Sequence, residues 1–225
     1  MRLLGKRKLE HFDVPVQDKV LRITGPEHLY EEVRAAGMQF WEQIQSYAIR
    51  NPAFRTSKRP LEVPASAPAI VREMATSAAA AGVGPMFTFQ GALTDYVGRR
   101  LTDALNETSV SCGEDHFVMS RRRMRLAVHP GLGLAVVVKP ELGAHGVFMR
   151  LTPGENPGEV MGGLVVVGHT CIVADAAAAA AMAIVPKSGG FRTALTYLKG
   201  VPGLHGAMLI QGHRIGVAGA LEIAA

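Results

Sequence analysis

The chain has 225 residues, 48% hydrophobic and 19% charged, with a formal net charge of +5. This composition is globular and excludes intrinsic disorder, and a chain of this length buries enough apolar surface to need no disulfide or metal staple. Two cysteines, Cys112 and Cys171, make no disulfide framework and fit a reducing compartment.

The first ten residues, Met1 to Glu10, are basic and lack the apolar run of a signal peptide. They read as a flexible segment of a cytoplasmic protein. Phe12–Gln17 and Lys19–Thr24 alternate apolar and polar residues and read as two strands. Thr24 stands three residues before Glu27, the spacing of a capping box. Leu29, Val33, Ala36, Phe40, Ile44 and Tyr47 then share one helical face, and Asn51-Pro52 ends the helix. Arg55 to Pro64 reads as a basic, proline-rich loop. Ser66 reads as the cap of a second helix with Pro68 in its first turn, and Gly82-Val83-Gly84-Pro85 breaks that helix. A third helix runs from about Gln90 to Leu105.

The middle of the chain reads as short strands: Thr108–Cys112, Phe117–Ser120, Met124–Val128 and Leu134–Val138. Gly143 to Gly162 reads as a long loop with one strand near Gly146–Arg150. Gly162 to Val185 is nearly free of charge, yet it carries His169 and Asp175. An Asp near the centre of a membrane span costs ~2.5–3.5 kcal/mol, so the stretch reads as a buried strand, Leu164–Val167, followed by an alanine-rich helix. A helix near Phe191–Leu198 and strands at Ala207–Ile210 and Arg214–Ile223 close the chain. Strands and helices come in blocks, which predicts an α+β fold in one domain, residues 1–225. The blocks double approximately, as two similar halves would, without a residue-level repeat. The wealth of small side chains predicts a homo-oligomer.

Several groups carry candidate chemistry. Glycines at 82 and 84 with Pro85 either admit a phosphate to backbone N–H groups at the next helix start or simply end a helix. Cys112-Gly113-Glu114-Asp115-His116 packs a thiol, two carboxylates and an imidazole into one turn, an acid/base or ligand cluster or a plain polar turn. Asp175 begins the alanine helix, as a ligand or as a helix cap. Arg121 to Arg125 is the densest basic cluster, but no aromatic platform or reading helix lies beside it, which argues against nucleic acid. It suits a solvated turn or a phosphorylated ligand.

Ala67-Pro68-Ala-Ile-Val-Arg-Glu-Met74, then Ala81-Gly-Val-Gly-Pro-Met86, then Ala92-Leu-Thr-Asp-Tyr-Val-Gly-Arg99 resembles one block of an uncharacterised bacterial and archaeal family. That family is distantly related to ApbE, the FAD:protein FMN transferases. A weaker resemblance runs from Thr108 to the C-terminus through Cys112–Asp115, Ile172–Ala178 and Arg214–Gly216. It implies an ApbE-like fold, an antiparallel sheet with paired helices, and a small-molecule ligand bearing phosphate, a flavin (FAD or FMN) or related nucleotide. The implied ligand-binding residues are Gly82, Gly84, Pro85, Gly113, Glu114 and Asp115, with Asp175 on Mg²⁺. ApbE enzymes pair that Asp with a Thr four residues later; here the position is Ala179. The Ser-Ser-Gly-Thr stretch frequent in the family is absent from Thr152–Glu159. Two readings stay open: a nucleotide-binding protein, diverged from a transferase, or a non-catalytic binding or assembly protein that kept the fold and lost the metal site.

Overall fold

The computed structural model describes residues 10–224. The expectation for the basic N-terminal segment, residues 1–10, lies outside the described residues except at Glu10, which begins a strand. Eleven strands and six α-helices follow. A hairpin, β1 (Glu10–Val16) and β2 (Lys19–Gly25), leads through a 3-10 turn into the long helix α1 (Tyr30–Arg50). The short α2 (Pro52–Thr56), α3 (Ala69–Ala81) and α4 (Phe89–Thr102) follow. Then come β3 (Thr108–Cys112), β4 (Asp115–Met119), β5 (Met124–His129), β6 (Leu134–Val138), β7 (His145–Pro153) and β8 (Val160–Gly168). The chain ends with α5 (Cys171–Ile184), α6 (Gly190–Gly200), β9 (Leu204–Gln211), β10 (Arg214–Gly219) and β11 (Glu222–Ala224).

Eight strands form one sheet in the order β1-β2-β3-β4-β7-β8-β9-β10, every pair antiparallel. The doubling seen in the sequence is topological. Each half is hairpin, helices, hairpin, and β4–β7 pairing joins the halves into one sheet. Because side chains alternate along a strand, the sheet has two distinct faces. On one face, Leu164, Val166, Ala207 and Leu209 pack under the alanines of α5 and under Phe191 and Leu198 of α6. On the other, Val165, Val167, Met208 and Ile210 pack under a three-stranded sheet, β11-β6-β5. Among the described residues, no helix is long and apolar enough to cross a membrane.

The apolar stretch at 162–185 divides as expected, into β8 and α5. Three local expectations fail for physical reasons. Thr24 forms no capping box. It stays in β2, where its hydroxyl meets His11 Nδ1 at 3.0 Å and accepts from the Ser109 hydroxyl at 2.9 Å. Cross-strand partners thus claim the oxygen before the helix can. Ser66 caps nothing, because α3 begins at Ala69 with the imino residue Pro68 at its N-cap. The expected loop at 143–162 is largely hairpin. β7 runs on to Pro153, and Gly154 N–H bonds the Glu159 carbonyl at 2.9 Å.

Candidate functional site

The site is built where α4 and α5 begin. Gly82 ends α3 in the left-handed conformation, φ +70°. Two residues on, a β-carbon at Gly84 would stand 1.9 Å from the Ser57 carbonyl oxygen. Glycine is therefore demanded there by the crossing backbone of the Ser57–Lys58 loop. Pro85, buried, opens the 3-10 turn Pro85–Thr88, which delivers the chain into α4. The Gly82–Pro85 segment thus leads into α4, with Gly84 held against the Ser57 backbone.

The other predicted residues come together at the front. Gly113 and Glu114 form the two-residue turn between β3 and β4, and Gly113 carries φ +60° at the first position. A left-handed first residue matches the twist of a tight hairpin and favours glycine. The turn lies against α4. A β-carbon on Gly113 would come within 2.7 Å of Gln90 Nε2, and that amide also faces Cys112 Sγ at 3.8 Å. Asp115, 1% exposed, follows at the start of β4, and among the described residues its Oδ1 has no hydrogen-bond partner.

Asp175 does not cap its own helix; Thr170 does, accepting from the Val173 N–H at 3.2 Å. Instead Asp175 Oδ2 accepts from Gly91 N–H, 3.0 Å away in the first turn of α4. The reverse bond exists as well, with Asp95 Oδ1 on α4 accepting from Cys171 N–H at 3.0 Å. Each helix thus satisfies an orphan N–H of the other. Asp95 in turn pairs with Arg99, which bonds Glu73 at 2.9 Å, and Tyr96 donates to the same Glu73 at 2.8 Å. No local rule reports this interlock. Its only trace in the sequence is the four-residue spacing repeated in Gly91–Asp95 and Cys171–Asp175.

Burial pushes Asp175 up to about 7; Glu114 adds to the rise, while the Gly91 N–H and the Arg150 guanidinium oppose it. Burial also holds Asp115 well above the carboxylate range, reinforced by Asp175 and Glu114. The front of the site therefore carries two buried carboxyls that hold their protons more firmly than exposed ones do. Glu114, on the rim, pairs with Arg150 of β7 at 2.9 Å, and Arg150 Nη1 points to Met182 Sδ at 3.2 Å. Arg150 and Met182 begin an open groove of about 280 Å³ lined by Gly162, Leu164, Val185 and Leu209 among others. The sequence marked neither Gln90, Gly91, Arg150 nor Met182. Arg150 ends an unremarkable apolar run, and only the sheet brings it beside the turn.

A family model described as "AbpE bacteria" matches residues 2–188. The chain belongs to that family. Among relatives of this AbpE-family chain, an UPF0280 protein of Methanocella arvoryzae is 27% identical over 80% of this chain and 76% of its own. An UPF0280 protein of Archaeoglobus fulgidus is 31% identical over 52% of this chain and 50% of its own. Two solved structures share the fold. The H257G mutant of the flavin transferase ApbE from Vibrio cholerae superposes with TM-score 0.62 at 10% identity, covering 94% of this chain and 97% of that one. The ApbE protein of Thermotoga maritima gives 0.55 at 10% identity, covering 93% and 97%. At such identities the likeness establishes an ApbE-like α+β fold, as the sequence resemblance implied.

The donors at the site do not fit a protein-built Mg²⁺ centre. Magnesium takes near-octahedral oxygen coordination. Here Asp175 spends an oxygen on Gly91 N–H, and Ala179 offers no donor at the fourth residue on. Among the described residues, no group of three His, Cys, Asp or Glu side chains is set to hold a metal ion. The groove's volume is near the ~300 Å³ lower bound of small-ligand sites.

Proposed function

We propose that this chain is an ApbE-related binding protein for a flavin or a related phosphate-bearing nucleotide. The observation that carries the reading is the convergence of the Gly113–Asp115 turn, the first turn of α4 and Asp175 beside an apolar groove lined in part by Arg150. In this reading the ring lies over Gly162 and Leu164 against Met182 and Val185, while the phosphate end stays outside with Arg150. Burial raises both carboxyls, which weakens the repulsion they would exert on that phosphate if freely ionised. Gly82, Gly84 and Pro85 contribute by setting the start of α4.

The donor set favours binding without transfer, since Ala179 and the occupied Asp175 leave too few oxygens for the metal on which an ApbE-type reaction would rest. The test is direct. Freshly purified protein is examined by absorbance between 350 and 500 nm (roughly the flavin region, where no protein side chain absorbs strongly), then titrated with FAD and FMN with and without Mg²⁺. Saturable binding of either supports the reading, and Mg²⁺-dependent consumption of FAD would establish retained transfer. No binding under any of these conditions sinks the flavin assignment.

A further inference from the structure

The groove raises a question of charge. Of the residues that line it, Arg150 alone is charged. Its guanidinium faces Glu114 on the turn and acts on Asp175 behind it. A guanidinium has five N–H donors in a planar fork suited to phosphate. Here Nε and Nη2 both converge on a single oxygen, Glu114 Oε1, at 3.0 and 2.9 Å. One N–H of Nη1 is directed at the Met182 sulfur, a weak acceptor. Among the described residues the remaining two N–H groups have no protein acceptor, and the side chain is about half exposed.

We infer that Arg150 is the phosphate-binding group of this site and takes the place of a divalent cation, so that the ligand is held without metal. The inference rests on the nucleotide-binding reading above and deepens it. Two features support it together: a free pair of N–H groups on the one charged residue lining an apolar groove, and a metal donor set that is incomplete. Glu114 acts as a placeholder that orients the fork while the site is empty and competes with the arriving phosphate.

The experiment uses two probes, FMN and inorganic pyrophosphate, each titrated calorimetrically in excess EDTA and in millimolar Mg²⁺. The proteins are the unaltered chain, Arg150→Gln, Arg150→Lys and Glu114→Gln. The unaltered chain should bind both probes equally well in EDTA and in Mg²⁺. Arg150→Gln should weaken both about tenfold or more, as expected for loss of a charge-assisted bidentate contact, with no rescue by Mg²⁺. Arg150→Lys should retain part of the affinity, and Glu114→Gln should bind more tightly than the unaltered chain. Circular dichroism of Arg150→Gln separates lost binding from lost folding, and Glu114→Gln tests the same contact without touching the arginine. Binding abolished by EDTA, or undiminished in folded Arg150→Gln, overturns the inference while leaving flavin binding intact. Pyrophosphate binding that depends on Arg150, with no FMN binding, keeps the anion site and removes the flavin. If neither probe binds the unaltered chain, both readings fall.

Discussion

Asp175 reaches across from α5 to accept the N–H of Gly91, 84 residues earlier in the chain and 3.0 Å away. The contact is possible only because Gly91 has no side chain. A β-carbon there would stand 2.7 Å from the Cys171 carbonyl oxygen and 2.8 Å from Asp175 Cβ.

Gly91→Ala should therefore destabilise the protein. Helix propensity alone would make alanine better by about 1 kcal/mol. Overpacking should outweigh that and leave a net loss of about 1–3 kcal/mol. Urea unfolding of the two proteins decides the sign, and a variant more stable than the parent would show that the helices are not in contact at this point.

Asp95 holds the opposite end of the interlock. Asp95→Ala strands the Cys171 N–H and leaves Arg99 with Glu73 alone, a loss of about 1–3 kcal/mol. Asp95→Asn keeps an acceptor and should cost less than half as much. Equal losses from the two substitutions would mean that the hydrogen bond to Cys171 contributes nothing.

The buried carboxyls set a pH dependence with a definite sign. Asp175 titrates near 7 in the fold and near 3.8 in the unfolded chain. The folded protein thus binds more protons, so stability is greatest below pH 4 for this group and falls as pH rises toward 7. Asp175→Asn, which can still accept from Gly91, should be more stable than the parent at pH 8 by up to about 4 kcal/mol. At pH 4 the difference should vanish. Parallel stability curves for the two proteins across this range would contradict the burial of the charge.

Cys112 is 2% exposed and Cys171 fully buried, and burial raises both thiols above their ordinary value. Neither should be a ready nucleophile. A chromogenic disulfide reagent should label neither in the native protein at neutral pH and both in urea. Fast labelling of the native protein at one position would place that thiol at the surface.

How much of this was legible depends on how local the cause is. β8 and α5 could be read because a run of β-branched residues followed by alanines has few other solutions. The turn at Gly113 could be read because tight hairpins demand particular residues. The role of Asp175 could not. Near a helix start an aspartate suggests a cap for its own helix, and only packing against α4 turns it into a cap for another. Gly84 shows the converse. In sequence it suits a phosphate as well as it suits the Ser57 backbone, and only the Ser57 loop decides. Arg150 gave no signal at all, since its meaning depends on β4 and β7 being neighbours in the sheet.

The exchange of caps between α4 and α5 bears on what happens when the chain is cut. A break in the exposed turn at 154–159 would leave β1 to β7 on one piece and β8 to β11 on the other. Asp95 and Gly91 would stay with the first, Cys171 and Asp175 with the second. Each fragment would then own one donor and one acceptor that only the other can match, and one part of a sheet that closes at β7–β8. The pieces should recover the fold by reassociating rather than separately. Their affinity for each other would measure directly the coupling across β7–β8 and between α4 and α5.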